Sequence, residues 1–249
     1  MEIVGRGFLA RHLQPLAHRH PDAVALAAGV SSTHATSTAD FAREEALVGA
    51  AAQRCRETGR RLLFFSTASA ALYGPGSGAG REDQPAVPAN PYGAHKLALE
   101  ELLRASGADY LVLRLSHLVG PGQPAHHLLP TLMRCVQNGR VRVLKGAQRD
   151  LIAVADAVRI IDLLLTRGVT RETVNVASGC AVPVEAIIGQ LELLLATTAD
   201  RAYEPGGSGH RVCIDKLRAL IPETRDFGFG AHYDRRVVES FVSWELSRA

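Results

Sequence analysis

Short apolar runs alternate with segments of helical periodicity through the first half of the chain. The runs predict strands over 2–4, 22–28, 61–66 and 110–116, because a fully buried strand reads as a brief, continuous apolar stretch. Leu9, Leu13 and Leu16 recur at helical spacing, and further helices are predicted over 39–57 and 91–106. Strands joined by helices predict an α/β fold, in which a parallel sheet has helices on both faces and binds ligands at the carboxyl ends of its strands.

The pattern is less regular beyond Gly120-Pro-Gly122. After a segment at 126–137, it predicts strands over 140–144 and 173–177, long helices over 154–166 and 184–196, and short helices over 215–220 and 233–246. The stretch 198–209, which ends in Pro205-Gly-Gly-Ser-Gly209, is the most loop-like. Additions of this kind to a parallel sheet usually form a substrate lobe.

Composition places the chain among globular proteins. With 47% hydrophobic and 21% charged residues in a length of 249, it can bury a core without metal or disulfide support. No apolar run approaches the roughly 18 residues of a membrane helix. The start Met1-Glu-Ile-Val-Gly5 also lacks a basic region followed by an apolar stretch. We therefore expect a cytoplasmic protein without a membrane partner.

Cysteine spacing and charge exclude two further classes of site. Cys55, Cys135, Cys180 and Cys213 are far apart and form no C-x-x-C pair, which predicts reduced, mostly buried thiols and argues against zinc. The formal net charge of +3 is small and the basic residues are dispersed, so no nucleic-acid partner is expected. Small neutral or anionic molecules remain as ligands.

The segment Tyr92-Gly-Ala-His-Lys96 carries the strongest chemical signal. On a helix that begins near Pro91, Tyr92 and Lys96 are four residues apart and share one face. An ammonium beside a phenol lowers the phenol pKa from about 10 toward the range in which it can transfer protons. Because a strand and two serines precede it over 62–74, the segment indicates proton transfer beside a nicotinamide. The alternative is an ordinary surface turn of a helix.

Several motifs together resemble the extended short-chain dehydrogenase/reductase family, the NAD-dependent epimerase/dehydratase group that acts on nucleotide sugars and related carbohydrates. They are Gly7-Phe-Leu-Ala10, Ser69-Ala-Ala-Leu-Tyr-Gly74, Pro91-Tyr-Gly-Ala-His-Lys96, Leu113-Arg-Leu-Ser-His-Leu-Val-Gly-Pro-Gly122 and Arg149-Asp-Leu-Ile-Ala-Val-Ala-Asp156. The resemblance implies a Rossmann-type core over 1–122 that binds a dinucleotide and carries the catalytic residues. Residues 123–249 are then expected to complete the sheet and form a small substrate lobe.

The same resemblance implies three catalytic residues. Tyr92 is expected to be the acid/base, Lys96 to hold the nicotinamide ribose and lower the tyrosine pKa, and Ser69 to hydrogen-bond the reacting carbonyl or alcohol. Ser66 and Thr67 are nearby hydroxyls, which we interpret as caps at the strand end rather than as catalytic groups.

The chain departs from the family pattern after its first helix. The strand at 22–28 follows that helix directly, so the second and third strands of the family are interpreted as missing, together with the acidic residue that grips the adenosine ribose. The glycine pattern Gly5-x-Gly7-x-x-Ala10 is sparse but follows a strand and opens a helix. The expected cofactor-binding residues are Gly5, Arg6, Gly7, Phe8, Leu9, Ala27, Ala28, Lys96 and His117.

The cofactor is expected to be NADP or NAD. Arg6 lies in the glycine turn, where its guanidinium could pair with a pyrophosphate or a 2′-phosphate, and this favours NADPH. A solvated loop arginine is the alternative.

The reaction is expected to be hydride and proton transfer. Dehydratases of the family usually carry an Asp-Glu pair after the serine or threonine, and Ala70 and Ala71 stand here instead. We expect an NAD(P)H-dependent ketoreductase for a carbohydrate, nucleotide-sugar or aminocyclitol-like substrate. The alternatives are a nucleotide-sugar epimerase and a non-catalytic dinucleotide-sensing or scaffold protein.

Substrate contacts are expected from residues beyond the fourth strand. His117, His126 and His127 could each hydrogen-bond a hydroxyl or donate a proton, although a packing role is the alternative for any one of them. Arg149 and Arg211 fall where the family contacts substrate. A homodimer is a further expectation, because family members often pair through helices and the Ala-rich face of 46–53 permits close packing.

Overall fold

The computed structural model describes residues 1–31, 36–74, 78, 80–207, 209 and 211–248. Its strands are β1 (Glu2–Val4), β2 (Ala23–Leu26), β3 (Arg61–Thr67), β4 (Asp109–Leu115), β5 (His117–Val119), β6 (Arg140–Leu144), β7 (Gln148–Ala153), β8 (Glu172–Val176), β9 (Ala181–Pro183) and β10 (Asp200–Glu204). Its α-helices are α1 (Phe8–Leu13), α2 (Thr38–Thr58), α3 (Ala70–Tyr73), α4 (Pro91–Ala105), α5 (Leu128–Gln137), α6 (Val154–Thr166), α7 (Val184–Leu194), α8 (Asp215–Leu220) and α9 (Tyr233–Leu246).

A five-stranded parallel sheet forms the centre of the fold, in the order β1-β2-β3-β4-β8. Alternate residues of β2 show how it is covered on both sides. Val24 and Leu26 belong to the core that α2 and α4 complete, whereas Ala23 and Ala25 belong to the core that α1, α6 and α8 complete. The predicted α/β fold with a parallel sheet and helices on both faces is confirmed.

Strand β1 lies at one end of this sheet order and pairs with β2, so that Glu2 lies opposite Val24. Arg54 and Arg60 both form ion pairs with Glu2, at 2.6 Å each. The strand that follows α1 in the chain is therefore the direct neighbour of β1. The interpretation that two family strands are missing remains a prediction.

The second half of the chain adds two small sheets and a separate core. Strand β7 lies between β5 and β9, and β6 pairs in parallel with β10. Apolar side chains of α5, α7 and α9 pack over these strands. The expectation that 198–209 is loop was wrong in part, because β10 occupies Asp200–Glu204. Its side chains are mostly exposed, so no apolar alternation marked it.

The structure bears on two expectations from composition, the burial of the cysteines and the absence of a membrane helix. Cys55 is buried, whereas Cys135, Cys180 and Cys213 are only half-buried, so the expectation of mostly buried thiols was wrong. Over the ranges that the structure describes, every helix is too short or too polar to span a lipid bilayer.

Helix α4 begins where two backbones touch. The side chain of Asn90 caps the helix by accepting a hydrogen bond from the amide of Gly93 at 2.9 Å. A Cβ atom on Gly93 would lie 1.8 Å from the carbonyl oxygen of Ala71, in α3. Only glycine permits this approach, which brings the start of α4 against α3.

Asp150 ties β7 to the segment after β8. Its side chain is buried, and Oδ1 accepts a hydrogen bond from the amide of Ser178 at 2.9 Å. Burial raises the pKa of Asp150 to about 6, although the Ser178 amide acts in the opposite direction.

The Gly93 contact predicts that Gly93→Ala destabilises the protein. Alanine ordinarily stabilises a helix by about 1 kcal/mol relative to glycine, but overpacking against the Ala71 carbonyl should reverse the sign and cost about 2 kcal/mol. Denaturant unfolding measures the difference. Gly49→Ala in α2 is the matched control, because no atom lies within 4 Å of its Cβ position, and it should stabilise the fold. Stabilisation by both variants would contradict the close approach.

Asp150 predicts a pH dependence of stability. Because its folded pKa of about 6 exceeds the unfolded value of about 3.9, the stability contributed by its protonated form is lost as pH rises through this window. Asp150→Asn should therefore gain about 2–3 kcal/mol relative to wild type between pH 4 and pH 8, by denaturant unfolding at both pH values. The control Asp226→Asn, at an exposed side chain, should not gain stability over wild type as pH rises. If the difference in unfolding free energy between Asp150→Asn and wild type is the same at both pH values, the buried carboxyl does not have the assigned role.

Candidate functional site

Three hydroxyl groups line up between the end of β3 and the start of α4. Thr67 donates a hydrogen bond from Oγ1 to Oγ of Ser69 at 2.9 Å, and its hydroxyl also interacts with the phenol of Tyr92. Ser69 is the N-cap of α3 and accepts from the amide of Ala71 at 3.3 Å. Thr67 and Tyr92 are both buried. Thr67 therefore lies between the two predicted catalytic hydroxyls. It also accepts a hydrogen bond from the amide of Ser69 at 3.2 Å, in agreement with its interpretation as a strand-end cap.

Lys96 lies one turn after Tyr92 and is also buried. Its Nζ atom is 5.8 Å from the centroid of the Tyr92 ring, which places both side chains on the same helix face as predicted. The ammonium donates at 2.6 Å to Oε1 of Glu44 and at 3.4 Å to the carbonyl oxygen of Phe65 in β3. Glu44, which the sequence analysis did not single out, is therefore an ion-pair partner of Lys96.

The electrostatics of this site differ from the expectation. Burial raises the pKa of Tyr92 well above its ordinary value, and the negative charge of Glu44 raises it further, while the hydrogen bond with Thr67 acts in the opposite direction. Burial lowers the pKa of Lys96, and Glu44 opposes that shift. The phenol pKa is thus displaced upward, opposite to the direction expected from the four-residue spacing of Tyr92 and Lys96.

A second buried ion pair fixes α4 to the sheet. Arg114 in β4 donates to both carboxylate oxygens of Glu100, at 2.9 and 2.7 Å, and Glu100 lies one turn after Lys96. Ser66 in β3 donates to Glu100 at 2.6 Å, and Arg114 also donates to the phenol oxygen of Tyr73 at 2.9 Å. These contacts determine the rotation of α4 and hence the direction of the Tyr92 and Lys96 side chains.

The predicted glycine turn has the backbone that a dinucleotide needs. Gly5 has φ of 132°, and a Cβ atom there would lie 2.3 Å from the carbonyl oxygen of Ala27, so glycine is required. No atom lies within 4 Å of the Cβ position of Gly7, which leaves open space beside the start of α1. Arg6 and Ala28 are exposed next to it. The turn therefore fits a pyrophosphate held by backbone amides.

The predicted histidines separate into two places. The ring of His127 lies 6.1 Å from the ring of Phe8 in α1 and 4.7 Å from that of His126, so this pair lies beside the helix that follows the glycine turn. Burial lowers the pKa of His127 to about 4, which keeps its imidazole neutral near pH 7. His117 lies in β5, opposite Leu151 of β7.

The two predicted arginines differ in burial and in their contacts. Arg149 is half-buried in β7 and donates to the carbonyl oxygen of Gln148 at 2.7 Å, and burial lowers its pKa. Arg211 is exposed before α8. Among the described residues, no hydrogen bond or ion pair joins either arginine to Ser69, Tyr92 or Lys96.

Sequence comparison identifies relatives of this chain. It is similar to a UDP-glucose 4-epimerase of Azospirillum brasilense, with 30% identity over 227 residues that cover 78% of this chain and 63% of that protein. It is also similar to a dTDP-6-deoxy-L-talose 4-dehydrogenase (NAD(P)(+)) of Kitasatospora kifunensis, with 29% identity over 163 residues that cover 60% of this chain and 51% of that protein. The chain thus spans less than two thirds of either relative.

Structure comparison finds the same fold in RMD from Pseudomonas aeruginosa complexed with NADPH. The TM-score is 0.78 and the identity 22%, and the match covers 99% of both chains. Residues 10–177, which are more than half of the chain, match the family described as NAD dependent epimerase/dehydratase. The protein is a member of the NAD-dependent epimerase/dehydratase family, the extended short-chain dehydrogenases/reductases with a Rossmann-type fold.

Proposed function

We propose that this protein is an NAD(P)H-dependent ketoreductase for a carbohydrate, nucleotide-sugar or aminocyclitol-like substrate. The observation that supports the proposal is the grouping of three hydroxyls, those of Ser69, Thr67 and the buried Tyr92, at the end of β3 and the start of α4. Such a group can hydrogen-bond a carbonyl oxygen and supply its proton, and both are what the reduction of a ketone requires.

Each side chain has one role in this reaction. Ser69 donates a hydrogen bond to the substrate carbonyl, and Tyr92 transfers its proton to that oxygen as the alcohol forms. A nicotinamide dinucleotide supplies the hydride when bound. Lys96 would hold the nicotinamide ribose, and its ammonium is paired with Glu44. The phenolate that remains on Tyr92 then recovers a proton from solvent.

Elimination of water is disfavoured by the residues that follow Ser69. Ala70 and Ala71 open α3, so the two positions after the serine carry no acid or base. Burial and the charge of Glu44 raise the pKa of Tyr92 and keep it protonated, so a proton is present for a ketone although the phenol is a weaker acid than a free tyrosine.

The glycine turn is the proposed cofactor site. Gly5, Gly7, Phe8 and Leu9 would approach the pyrophosphate, with Ala27 and Ala28 beside them, and His117 would complete the set. We also propose that the second and third strands of the family are missing, because β1 lies at the end of the sheet order and the chain returns to its neighbour β2 after only α1 and one 3₁₀ turn. A cofactor at this edge would rest chiefly on its pyrophosphate and nicotinamide halves.

The substrate would lie between the core over 1–122 and a lobe over 123–249. His126, His127, Arg149 and Arg211 are the proposed substrate contacts. The neutral ring of His127 can donate or accept a hydrogen bond to a hydroxyl group. Cytoplasmic location and a homodimer are part of the same proposal.

An epimerase is the second candidate, favoured by the similarity to the UDP-glucose 4-epimerase of Azospirillum brasilense. An epimerase regains its cofactor in each turnover, whereas a reductase consumes one reduced dinucleotide for each product. Consumption of NADPH or NADH with a 4-keto sugar, followed by absorbance, therefore separates the two. Interconversion of sugars without net oxidation of the cofactor would favour the epimerase.

Loss of the proton donor should abolish most turnover. We expect Tyr92→Phe to lower the rate of ketone reduction about 10²–10⁴-fold, the usual contribution of general acid catalysis, while NADPH binding by fluorescence titration stays unchanged. Tyr203→Phe, at an exposed tyrosine in β10, is the matched control and should keep full activity. Tyr92→Phe activity within a few-fold of wild type would exclude Tyr92 as the acid.

Arg6 should distinguish the two dinucleotides. If its guanidinium pairs with a 2′-phosphate, Arg6→Ala should weaken NADPH about tenfold and NADH much less, as measured by fluorescence titration. Arg225→Ala, an exposed arginine near the C-terminus, is the control. Equal losses for both dinucleotides would place Arg6 at the pyrophosphate, and no loss for either would place it outside the site.

A further inference from the structure

Glu44 is a charged residue on the apolar face of an amphipathic helix. In α2 it shares that face with Val48, Ala51, Ala52 and Cys55, all of which are buried, and Glu44 itself is only 3% exposed. The next residue, Glu45, is exposed. A buried carboxylate costs several kcal/mol in desolvation unless partners compensate it. The partners of Glu44 therefore indicate why it is there.

Those partners come from two other parts of the chain. Oε1 accepts from Nζ of Lys96 at 2.6 Å, and Oε2 lies 3.0 Å from Nε2 of His95 and accepts from the amide of Val30 at 3.1 Å. The ring of His95 stacks on Phe41, with centroids 4.3 Å apart. The carboxylate thus links α2 to α4 and to the segment that follows β2.

The backbone above the carboxylate is shaped to admit it. A Cβ atom on Gly29 would lie 2.1 Å from Oε1 of Glu44 and 3.2 Å from Nζ of Lys96. Any other residue at Gly29 would displace the carboxylate from the ammonium. The close contact therefore depends on a glycine in the segment that follows β2.

We propose that Glu44 is a positioning residue for Tyr92 and Lys96. Its carboxylate keeps the Lys96 ammonium charged, and the resulting ion pair, which has no net charge, leaves Tyr92 as a protonated donor. This inference rests on the proposed ketoreductase function, and it adds a preferred direction of the reaction. A site that retains the phenol proton favours reduction of a ketone, because oxidation of an alcohol needs a phenolate as base.

The other charged groups around the site also have partners. His95 faces Glu44 from α4, and Glu100 lies one turn beyond Lys96, where it is neutralised by Arg114 and Arg104. From β3, the contact to Lys96 is the carbonyl oxygen of Phe65. Among the described residues, Glu44 is thus the carboxylate that pairs directly with Lys96.

The substitution Glu44→Gln keeps the shape of the side chain and removes its charge. The buried Lys96 then has no anion, so its pKa falls further below the unfolded value of about 10.4. Between these two pKa values the unfolded chain binds more protons, so the stability of the variant rises with pH. A lost packing contact or hydrogen bond would instead give a deficit that does not change with pH.

The test compares thermal unfolding at pH 7 and pH 10. We expect Glu44→Gln to melt about 5 °C below wild type at pH 7 and to recover at least half of that deficit at pH 10. The double variant Glu44→Gln/Lys96→Met retains His95 and Tyr92 but lacks the lysine, and it should recover none of its deficit between pH 7 and pH 10. Glu45→Gln is the matched control and should melt like wild type at both pH values. A constant deficit in Glu44→Gln overturns the proposal.

A second variant keeps the test available if Glu44→Gln does not fold. Gly29→Ala changes no charge but pushes the carboxylate away from Lys96, so it should show the same recovery of stability toward pH 10, with smaller amplitude. If the difference in melting temperature between Gly29→Ala and wild type does not change with pH, the proposal is contradicted.

A kinetic experiment reports on the protonation of Tyr92. In Glu44→Gln, the first proton leaves the Tyr92/Lys96 pair at lower pH, because removing a negative charge lowers the pKa of each neighbouring group. The alkaline decline of kcat/KM for ketone reduction should move down by about one pH unit or more. An unshifted profile overturns the role assigned to Glu44. Failure of wild-type protein to reduce any sugar ketone would count against the proposed function alone, since the unfolding experiment needs neither substrate nor cofactor.

Discussion

The bidentate ion pair between Arg114 and Glu100 lies in the middle of the molecule and joins its parts. Both side chains are almost fully buried, and their charges are compensated by each other, by Arg104, which donates to Glu100 at 2.9 Å, and by the hydroxyl groups of Ser66 and Tyr73. From this pair the contacts continue through Tyr73 to Asn175 in β8, which donates to the carbonyl oxygens of Gly80 and Cys213. Loss of one partner would leave a buried charge unpaired, at a cost of about 3–5 kcal/mol. The pair therefore holds α4, β4, β8 and the segment before α8 in one arrangement.

The chemistry of the site depends on that arrangement because Glu100 and Lys96 are one turn apart on the same helix. With α4 fixed in rotation and Gly93 seated against Ala71, Tyr92 meets the hydroxyl of Thr67 and Lys96 meets Glu44. Two buried carboxylates thus have different roles. Glu100 fixes the helix, whereas Glu44 neutralises the one ammonium beside the phenol.

Local patterns in the sequence were sufficient for some of these features. The apolar runs located the strands of the central sheet, and the spacing of Tyr92 and Lys96 placed both on one helix face. Glu44 was missed, although a signal existed: it falls on the same helix face as Val48 and Cys55, where a charge is out of place. Its partner could not be predicted, because contacts between α2 and α4 depend on how the two helices pack on the sheet.

Strands β10 and β5 show a different limit of prediction. Strand β10 exposes most of its side chains, and β5 has only three residues, so neither produces an alternating pattern long enough to recognise. The position of Thr67 beside Tyr92 was not predicted, for a related reason. Its position at the end of β3 is visible in sequence, but its contact with Tyr92 depends on the close approach of α3 and α4.

The end strand of the central sheet also affects how this protein can associate with other chains. An unpaired strand edge is a template onto which another polypeptide can add by backbone hydrogen bonding. Strand β1 is only three residues long, and Glu2 carries a charged cluster with Arg54 and Arg60 beside it. An incoming strand would gain few hydrogen bonds there and would have to displace or desolvate these charges. The β1 edge is therefore a poor nucleus for sheet extension.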